Sequence, residues 1–219
     1  MNTKENEVSL NNKRIKVNFV GNTMVGKTSI LNRMRFGIFN KESTATIGGS
    51  FVSLKSGNIN YDIWDTAGQE RFLSLVPMYF REVRISIFVF DVTNIKTVKY
   101  INRYKDVYLD DPNIIIIAIG NKIDLLKKND ASNYDNILKE LHNEVYNNFE
   151  ILTLTEKLHG LHFISTKKGE NFDKFLTHLD ESAENLPLIT MNSKIVIDNP
   201  FFKKMEEDEQ KEQNSSRCC

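Results

Sequence analysis

An eight-residue segment near the start of the chain, Gly21–Thr28, carries the spacing GxxxxGK[ST]. A loop of this type presents backbone N–H groups and a helix N-terminus to an anion, and its glycines allow close approach. Lys27 supplies a cation for the β- and γ-phosphates of a nucleotide, and the Thr28 hydroxyl can ligate Mg²⁺. Because an apolar run precedes the segment and a helical pattern follows it, we predict a phosphate-binding loop rather than a fortuitous glycine-rich turn.

A second polar segment, Asn121–Asp124, has the sequence NKID and directly follows an apolar run. The Asp124 carboxylate can accept hydrogen bonds from the N1–H and the 2-amino group of guanine together, whereas adenine lacks that pair of donors. Asn121 can bridge to the base and tie loops together, and the stem of Lys122 can cover one ring face. In isolation the pattern is equally typical of a polar turn. Its position after the phosphate-binding loop predicts guanine recognition.

A third segment, Asp65–Glu70, has the sequence DTAGQE and follows a short strand pattern. Asp65 can hold Mg²⁺ through a water molecule, and the Gly68 N–H can reach a γ-phosphate. Gln69 can orient an attacking water, because phosphoryl transfer through a loose transition state depends on positioning more than on a strong base. We therefore predict that Gln69 is catalytic.

The elements that must position these segments alternate between apolar strand-like runs and helical patterns. Unbroken apolar runs are typical of strands covered on both faces, and the segment 56–58 is a hairpin signal. We predict an α/β fold with a six-stranded, mainly parallel sheet, one antiparallel hairpin strand and helices on both faces. The predicted strands are 14–20, 51–55, 60–64, 85–90, 114–119 and 161–164, and the predicted helices are 29–36, about 95–110 and about 170–185.

Length and composition exclude several classes of protein. The 219 residues fit one domain, and 29 Lys and Arg balance 29 Asp and Glu, which argues against a general nucleic-acid binder. No apolar run reaches the roughly 18 residues of a membrane helix, the polar segment 1–12 predicts no secretory signal, and Asn2 predicts no N-myristoylation. Both cysteines are terminal, so the thiol-free body suits a reducing compartment.

With its three motifs in this order, the chain resembles the Ras-like small GTPases from about residue 14 to residue 186. WDTAGQE followed by Arg71-Phe72 is similar to the Rab branch, which works in vesicle traffic. The segments 46–51 and 74–81 look most like the early-endosomal subgroup. The resemblance implies the P-loop NTPase (small G-protein) fold and a switch that binds and hydrolyses GTP, uses Mg²⁺, and recruits effectors to regulate vesicle and endosomal membrane traffic.

The resemblance also implies further site residues. Thr46 is similar to the switch I threonine that ligates Mg²⁺ and senses the γ-phosphate, and Phe39 would lie against the guanine edge. Residues 165–167 resemble the last guanine loop, usually Ser-Ala-Lys, in which the middle contact is a backbone N–H. The implied nucleotide-binding residues are Gly21, Thr23, Met24, Val25, Gly26, Lys27, Thr28, Ser29, Phe39, Asn40, Lys41, Thr46, Gly68, Asn121, Lys122, Asp124, Ser165, Thr166 and Lys167; the implied metal ligands are Thr28, Thr46 and Asp65.

Three aromatic residues, Phe51, Trp64 and Tyr79, match the triad through which Rab proteins meet effectors. Ordinary core packing is the other interpretation of these rings, and both roles can coexist. The chain departs from the family in a shorter hairpin between Thr46 and Asp65, which would present the effector-facing strands differently. Glu82 also replaces a usual Gly just after the second switch, which would alter the mobility of that switch.

A longer stretch than usual lies between the guanine motifs, and it contains a polar, Asn-rich segment near 127–149. Its apolar residues recur every four positions, at Ile137, Leu141, Val145 and Phe149, which predicts a helical insertion with one buried face. That helix either packs its own stripe at the surface or offers a partner site. The GTP-binding domain implied by the resemblance therefore spans 14–186, after a flexible extension at 1–13.

Residues 187–219 are predicted to form a flexible tail that ends in Cys218 and Cys219, which resemble the Rab signal for double geranylgeranylation. From residue 191 onward, five basic residues face six acidic ones, so no polybasic attraction to a membrane is expected. Two lipid chains are then the remaining route to a stable anchor, with a vicinal disulfide or inert thiols as alternatives. The apolar islands 195–197 and 200–202 could dock on a prenylation escort protein or on the domain itself.

The partners implied by the resemblance are GTP and GDP, effectors, an exchange factor, an activating protein, prenylation escort and extraction proteins, and a membrane reached through prenyl groups. A monomer is expected at the cytoplasmic face of membranes, foremost the early endosome, cycling with the cytosol. No arginine finger is evident within the chain, so slow intrinsic turnover is expected. A P-loop kinase and a nucleotide-locked scaffold are the alternatives; NKID and DTAGQE disfavour the first, and Gln69 disfavours the second.

Overall fold

Six strands form the sheet that the apolar runs predict. They are β1 (Lys13–Val20), β2 (Gly49–Ser56), β3 (Ile59–Thr66), β4 (Ile85–Asp91), β5 (Ile115–Asn121) and β6 (Leu158–Ile164). Their order in the sheet is β2-β3-β1-β4-β5-β6; the β2–β3 pair is antiparallel and the other pairs are parallel. The predicted fold class is thereby confirmed. The computed structural model describes residues 13–41, 46, 48–68, 76–129 and 133–187.

Helices connect the strands and cover the sheet. They are α1 (Lys27–Phe36), α2 (Val76–Phe80), α3 (Lys105–Asp110), α4 (Ile123–Asn129), α5 (Tyr134–Leu154) and α6 (Phe172–Asn185), with a 3₁₀ helix at Ile95–Arg103. Within the described ranges, none of the helices combines the length and the apolar character needed to span a bilayer.

The central strands β4 and β5 are buried along their whole length, which explains their mostly apolar sequences. Successive side chains of a strand point to opposite faces, so each strand contributes to two core layers. Phe88 and Ile116 pack in one layer with the inner face of α5. Ile87 and Ile117 pack in the other layer with α1 and α6. The two layers fix the strand ends from which the polar motifs emerge.

Two predicted helices differ from the observed elements. The single helix expected at about 95–110 is wrong in its first part, which is the 3₁₀ helix, and only α3 is α-helical. The Thr97 hydroxyl donates to Asn94 O at 2.7 Å and accepts from the Asp91 N–H at 2.9 Å, and β-branched neighbours crowd an α-helical turn. The segment near 127–149 is divided between α4 and α5. Three of the predicted apolar positions, Leu141, Val145 and Phe149, are buried on the inner face of α5.

The side chains of Lys13 and Arg84 fix the end of α6 at the end of the sheet where strands β1 and β4 begin. Lys13 Nζ donates to Glu184 O at 2.9 Å and to Leu186 O at 2.5 Å. Arg84 Nη1 donates to Pro187 O at 3.1 Å. The motif-bearing loops leave from the carboxyl ends of the strands, so the described chain ends at the opposite edge of the sheet.

Candidate functional site

The glycine-rich loop joins β1 to α1, with Lys27 as the first helical residue. Gly26 has a φ of +105°, and a Cβ there would lie 2.3 Å from Asn121 Nδ2, so only glycine fits this position. Lys27 Nζ donates to Gly21 O at 2.9 Å and to Asn22 O at 2.8 Å. Burial lowers the pKa of Lys27 to about 8, and the nearby Asp65 carboxylate opposes that shift. A phosphate beside this ammonium would stabilise its charged form and raise the pKa again.

Three side-chain oxygens converge at the start of α1. The Thr28 hydroxyl donates to Asp65 Oδ2 at 2.5 Å and lies 2.7 Å from Thr46 Oγ1. Asp65 is fully buried, and burial raises the pKa of its carboxyl while Thr28, Lys27 and Thr46 oppose the rise. Asp65 Oδ1 has no hydrogen-bond partner among the described residues. A buried carboxylate oxygen without a donor, beside two hydroxyls, fits a hard divalent cation such as Mg²⁺.

That cation would need ligands from outside the protein as well. Within the described ranges, no group of three or more His, Cys, Asp and Glu side chains is arranged to hold a metal. Mg²⁺ commonly binds through one or two protein oxygens together with nucleotide phosphates and waters. The donor set of Thr28, Thr46 and Asp65 therefore fits a metal that is bound together with a nucleotide.

The DTAGQE segment runs directly against the phosphate-binding loop. A Cβ at Gly68 would lie 2.4 Å from the Asn22 carbonyl carbon and 2.5 Å from Thr23 N, so a larger residue would collide with the loop backbone. The Tyr100 hydroxyl donates to Gly68 O at 3.3 Å and holds the segment from the other side. Gln69, the predicted catalytic residue, lies outside the described residues.

Asn121 connects three loops at the base-binding end of the site. Its Nδ2 donates to Val25 O at 3.0 Å. Its Oδ1 accepts from the Thr166 N–H at 3.1 Å, from the Thr166 hydroxyl at 2.9 Å and from the Lys122 N–H at 2.8 Å. The predicted role of Asn121 in tying loops together is visible in these bonds. The Thr166 N–H, which the resemblance implies would contact the base, donates to Asn121 Oδ1 in this structure.

Three further bonds orient the NKID segment. Lys122 Nζ donates to Met24 O at 2.8 Å and to Asp91 Oδ2 at 2.6 Å. Asp124 Oδ1 accepts from the Ser165 hydroxyl at 2.6 Å, which fixes the rotation of the carboxylate. The cation and the carboxylate of the motif are thus set by residues of different loops.

These segments enclose a cavity of about 340 Å³ at the carboxyl ends of the strands, where open α/β sheets bind their ligands. The predicted residues that line it are Thr23, Met24, Gly26, Lys27, Thr28, Ser29, Phe39, Thr46, Gly68, Asn121, Lys122, Asp124, Thr166 and Lys167. Of the other predicted residues, Gly21, Val25, Asp65 and Ser165 support the wall through the bonds given above, while Asn40 and Lys41 are exposed and do not line it.

The cavity combines a lysine-bearing phosphate loop, an oxygen cluster and, at its far end, the partly buried carboxylate of Asp124. A sequence model of the Ras family matches residues 16–185. The chain belongs to the Ras family. It is therefore a small GTPase switch, a class that binds GTP and GDP, generally with Mg²⁺, and hydrolyses GTP. Family membership also favours GTP hydrolysis over the P-loop kinase considered from the sequence.

The structure of this Ras-family chain adds site residues that the sequence patterns missed. Thr66 and Leu125 line the cavity, and each directly follows a predicted site residue, Asp65 and Asp124. The end of the buried β4 run could have indicated Asp91, because side chains at carboxyl ends of parallel strands gather at one edge. No local pattern indicated Arg33, which contacts the last guanine loop from α1.

The three aromatic residues of this Ras-family chain form one continuous contact. The Phe51 and Trp64 rings, paired across β2 and β3, have centroids 5.3 Å apart, and the Trp64 and Tyr79 rings are 5.8 Å apart. Phe51 is 50% exposed and Tyr79 only 4% exposed. Tyr79 thus packs as a core residue, whereas Phe51 offers an apolar surface.

Proposed function

We propose that the chain is a Rab-type switch that recruits effectors in its GTP-bound form and regulates vesicle and endosomal membrane traffic. The observation that carries this proposal is the aromatic contact of Phe51, Trp64 and Tyr79, which joins β2, the strand after Thr46, to α2, the helix after the DTAGQE segment. The elements that follow Thr46 and the DTAGQE segment therefore meet in one aromatic contact, of which Phe51 is the most exposed ring. Exposed aromatic side chains are frequent anchors of protein interfaces.

The magnesium ion of this switch would be held by the Thr28 and Thr46 hydroxyls and, through water, by Asp65. When bound, it would neutralise charge on the β- and γ-phosphate oxygens. Lys27 holds a positive charge beside the same phosphates, and the loop amides bind the phosphate oxygens. Asp124 accepts hydrogen bonds from the base.

Hydrolysis would depend on Gln69, which orients the attacking water. The chain has no arginine finger of its own in the sequence patterns, so we expect slow intrinsic turnover and a requirement for an activating protein. A finger supplied by such a protein is typically worth ~10³–10⁵-fold. Loss of the γ-phosphate would release Thr46 and Gly68 and relax the surface that carries Phe51.

The tail would attach the switch to the cytoplasmic face of membranes, with the early endosome as the foremost address. Cys218 and Cys219 lie outside the described residues, so this part rests on the sequence. Two prenyl chains would provide the anchor that a near-neutral tail does not provide by charge. Escort and extraction proteins would then move the chain between membrane and cytosol.

Imaging of the full chain tests the membrane proposal. We expect the wild-type protein on discrete structures that carry an early-endosomal marker, and a diffuse signal for the variant Cys218→Ser/Cys219→Ser. The variant Ser215→Ala/Ser216→Ala changes the same tail without touching a thiol and should behave as wild type. A diffuse wild-type signal would contradict the lipid anchor, and a signal on another organelle would contradict only the endosomal address.

Effector recruitment has a separate test in nucleotide-loaded protein. Proteins retained by the form loaded with a non-hydrolysable GTP analogue and not by the GDP form are the candidate effectors. Phe51→Ala should reduce their retention, whereas Tyr146→Ala removes another exposed aromatic ring, on α5, and should leave it unchanged. Equal retention by all variants would separate the aromatic contact from effector binding.

A further inference from the structure

Arg33 lies on α1, outside every predicted motif, yet its guanidinium reaches the last guanine loop. Its Nη1 donates to Thr166 O at 2.8 Å, across 133 positions of the chain. Thr166 is only 2% exposed, so water cannot readily replace this donor. A hydrogen bond from a charged donor is stronger than one between neutral groups. The bond therefore ties α1 to a loop that lines the cavity.

Two neighbouring residues, Phe172 and Gly169, fix the position of the Arg33 guanidinium. Its Cζ lies 5.6 Å from the centroid of the Phe172 ring, within the range of a cation–π contact. A Cβ at Gly169 would lie 2.4 Å from Arg33 Nη2, and Gly169 has a φ of +78°. A side chain at position 169 would therefore both strain the backbone and displace the guanidinium. A lysine would keep the charge but lose the planar stacking.

The bond to Thr166 O fixes one peptide unit of the loop. In a planar trans peptide the C=O and the following N–H point in opposite directions, so the Lys167 N–H faces away from Arg33. The N–H and hydroxyl of Thr166 are both bonded to Asn121. None of the hydrogen bonds found among the described residues uses the Lys167 N–H, and Lys167 lines the cavity.

The donor at Lys167 has a chemical counterpart on one purine. Guanine carries a 6-oxo acceptor, whereas adenine carries a 6-amino donor at the same position. We propose that Arg33 is a positioning residue for base recognition, which holds the Thr166 carbonyl so that the Lys167 N–H donates to the 6-oxo group of guanine. The proposal rests on guanine nucleotides being the ligands of this pocket. Arg33 itself does not touch the nucleotide.

Three nucleotides separate this role from a general structural one. GDP has the 6-oxo group, the N1–H and the 2-amino group. Inosine diphosphate keeps the 6-oxo group and the N1–H, and the diphosphate of 2-aminopurine riboside keeps the 2-amino group alone. Competition against a fluorescent GDP gives the affinity of the full chain for each. For Arg33→Met we expect a loss of roughly tenfold for GDP and inosine diphosphate, and less than about twofold for the 2-aminopurine nucleotide.

The matched control is Arg35→Met, two residues along the same helix. The Arg35 guanidinium lies 4.7 Å from the Phe36 ring and is exposed, so its removal should change none of the three affinities. Arg33→Lys should recover part of the GDP affinity, because an ammonium can still donate to the Thr166 carbonyl. Thermal unfolding of each nucleotide-bound variant establishes that it folds.

An equal loss for all three nucleotides would overturn the proposal, since a loosened pocket would weaken them alike. Unchanged affinities for Arg33→Met would overturn it too, because the Thr166 carbonyl would then keep its position without Arg33. A wild-type chain that does not bind GDP would overturn the guanine-nucleotide assignment of the pocket, and this proposal with it. If the wild-type protein binds GDP normally and Arg33→Met loses affinity equally for all three nucleotides, only the proposal for Arg33 is overturned.

Discussion

Lys122 and Asp91 form an ion pair of 2.6 Å that joins the guanine-recognition motif to the end of β4. The other Asp91 oxygen accepts from the N–H and the hydroxyl of Thr93, so the carboxylate is held in one orientation. Lys122 adopts a φ of +74°, which a residue other than glycine rarely adopts without support. Asp91 supplies that support and keeps the lysine stem in the wall of the cavity.

Replacement of Asp91 tests this support. Asp91→Asn leaves Lys122 with the Met24 carbonyl alone, and we expect GDP to dissociate about five- to twentyfold faster, which corresponds to about 1–2 kcal/mol. Stopped-flow release of fluorescent GDP measures the rate. Asp62→Asn is the control, because Asp62 also forms a 2.6 Å ion pair, with Arg14, far from the cavity. Equal rates for Asp91→Asn and wild type would show that the pair does not hold the nucleotide.

The pKa of Lys27 predicts proton uptake on nucleotide binding. Burial lowers this pKa to about 8 in the ligand-free protein, and bound phosphates favour the charged form. Binding should therefore take up a fraction of a proton that grows as the pH rises from 8 to 9, with affinity falling through this range. Calorimetry in buffers of different ionisation enthalpy measures the uptake.

The exposed Lys41 offers a control for this measurement. Lys41→Met should leave the proton uptake unchanged, since this side chain does not line the cavity. The same pKa has a consequence for stability without ligand. The unfolded chain binds more protons than the folded chain between pH 8 and the ordinary lysine value of 10.5, so the Lys27 contribution to the free energy of unfolding rises across that interval. Binding at pH 9 without proton uptake would contradict the lowered pKa.

Gln69→Leu tests the catalytic assignment. Leucine cannot orient a water molecule, so we expect nucleotide affinity to be unchanged and hydrolysis stimulated by an activating protein to fall roughly a hundredfold or more. Single-turnover release of phosphate measures hydrolysis, and dissociation of fluorescent GDP provides the affinity control. Unchanged stimulated hydrolysis would remove Gln69 from this role.

Glu82 has a φ of +60° at a position where the family usually has glycine. Such a backbone conformation costs a side chain about 1–2 kcal/mol, partly offset by the greater freedom of glycine in the unfolded chain. Glu82→Gly should therefore raise the stability by about 0.5–1 kcal/mol and the Tm by roughly 1–3 °C. The ion pair with Arg81 that it removes is 3.6 Å long and exposed, so it offsets little of this gain.

A Glu→Gly substitution inside a helix should change the stability in the opposite direction. Glu140 is exposed on α5, where Glu→Gly lowers stability by about 1 kcal/mol through helix propensity. Thermal unfolding at saturating GDP compares the two variants directly. A lower Tm for Glu82→Gly would show that the glutamate is not strained there.

The sequence predicted what depends on spacing within one segment. The phosphate loop and the NKID segment are local patterns, and β4 and β5 are mostly apolar, without the alternation of polar and apolar residues that marks a strand with one face in solvent. Contacts between distant segments were not predictable in this way. The Arg33–Thr166 bond depends on how α1 packs beside the loop after β6. The Lys122–Asp91 pair depends on the register between strands β4 and β5.

The helix types were harder to predict than the strands. Apolar periodicity over 95–110 does not distinguish a 3₁₀ turn from an α-turn, and the hydrogen bonds of Thr97 that decide the matter involve the preceding strand end. The buried face of α5 was predictable at Leu141, Val145 and Phe149, but the residue at which the helix ends was not. The helix continues to Leu154, whose side chain is 73% exposed and carries no periodic signal.

Lys13 and Arg84 bind carbonyl groups at the end of α6 and just after it, at the end of the sheet farthest from the cavity. The segment after Pro187 therefore begins at the opposite end of the sheet from the cavity. The distance between the two ends is the length of the seven-residue strand β4, roughly 20 Å. The 32 residues that follow could extend to about 100 Å. With the proposed lipid anchor, a bilayer bound through this tail would leave the cavity entrance unobstructed, so guanine nucleotides could exchange without detachment of the protein from the membrane.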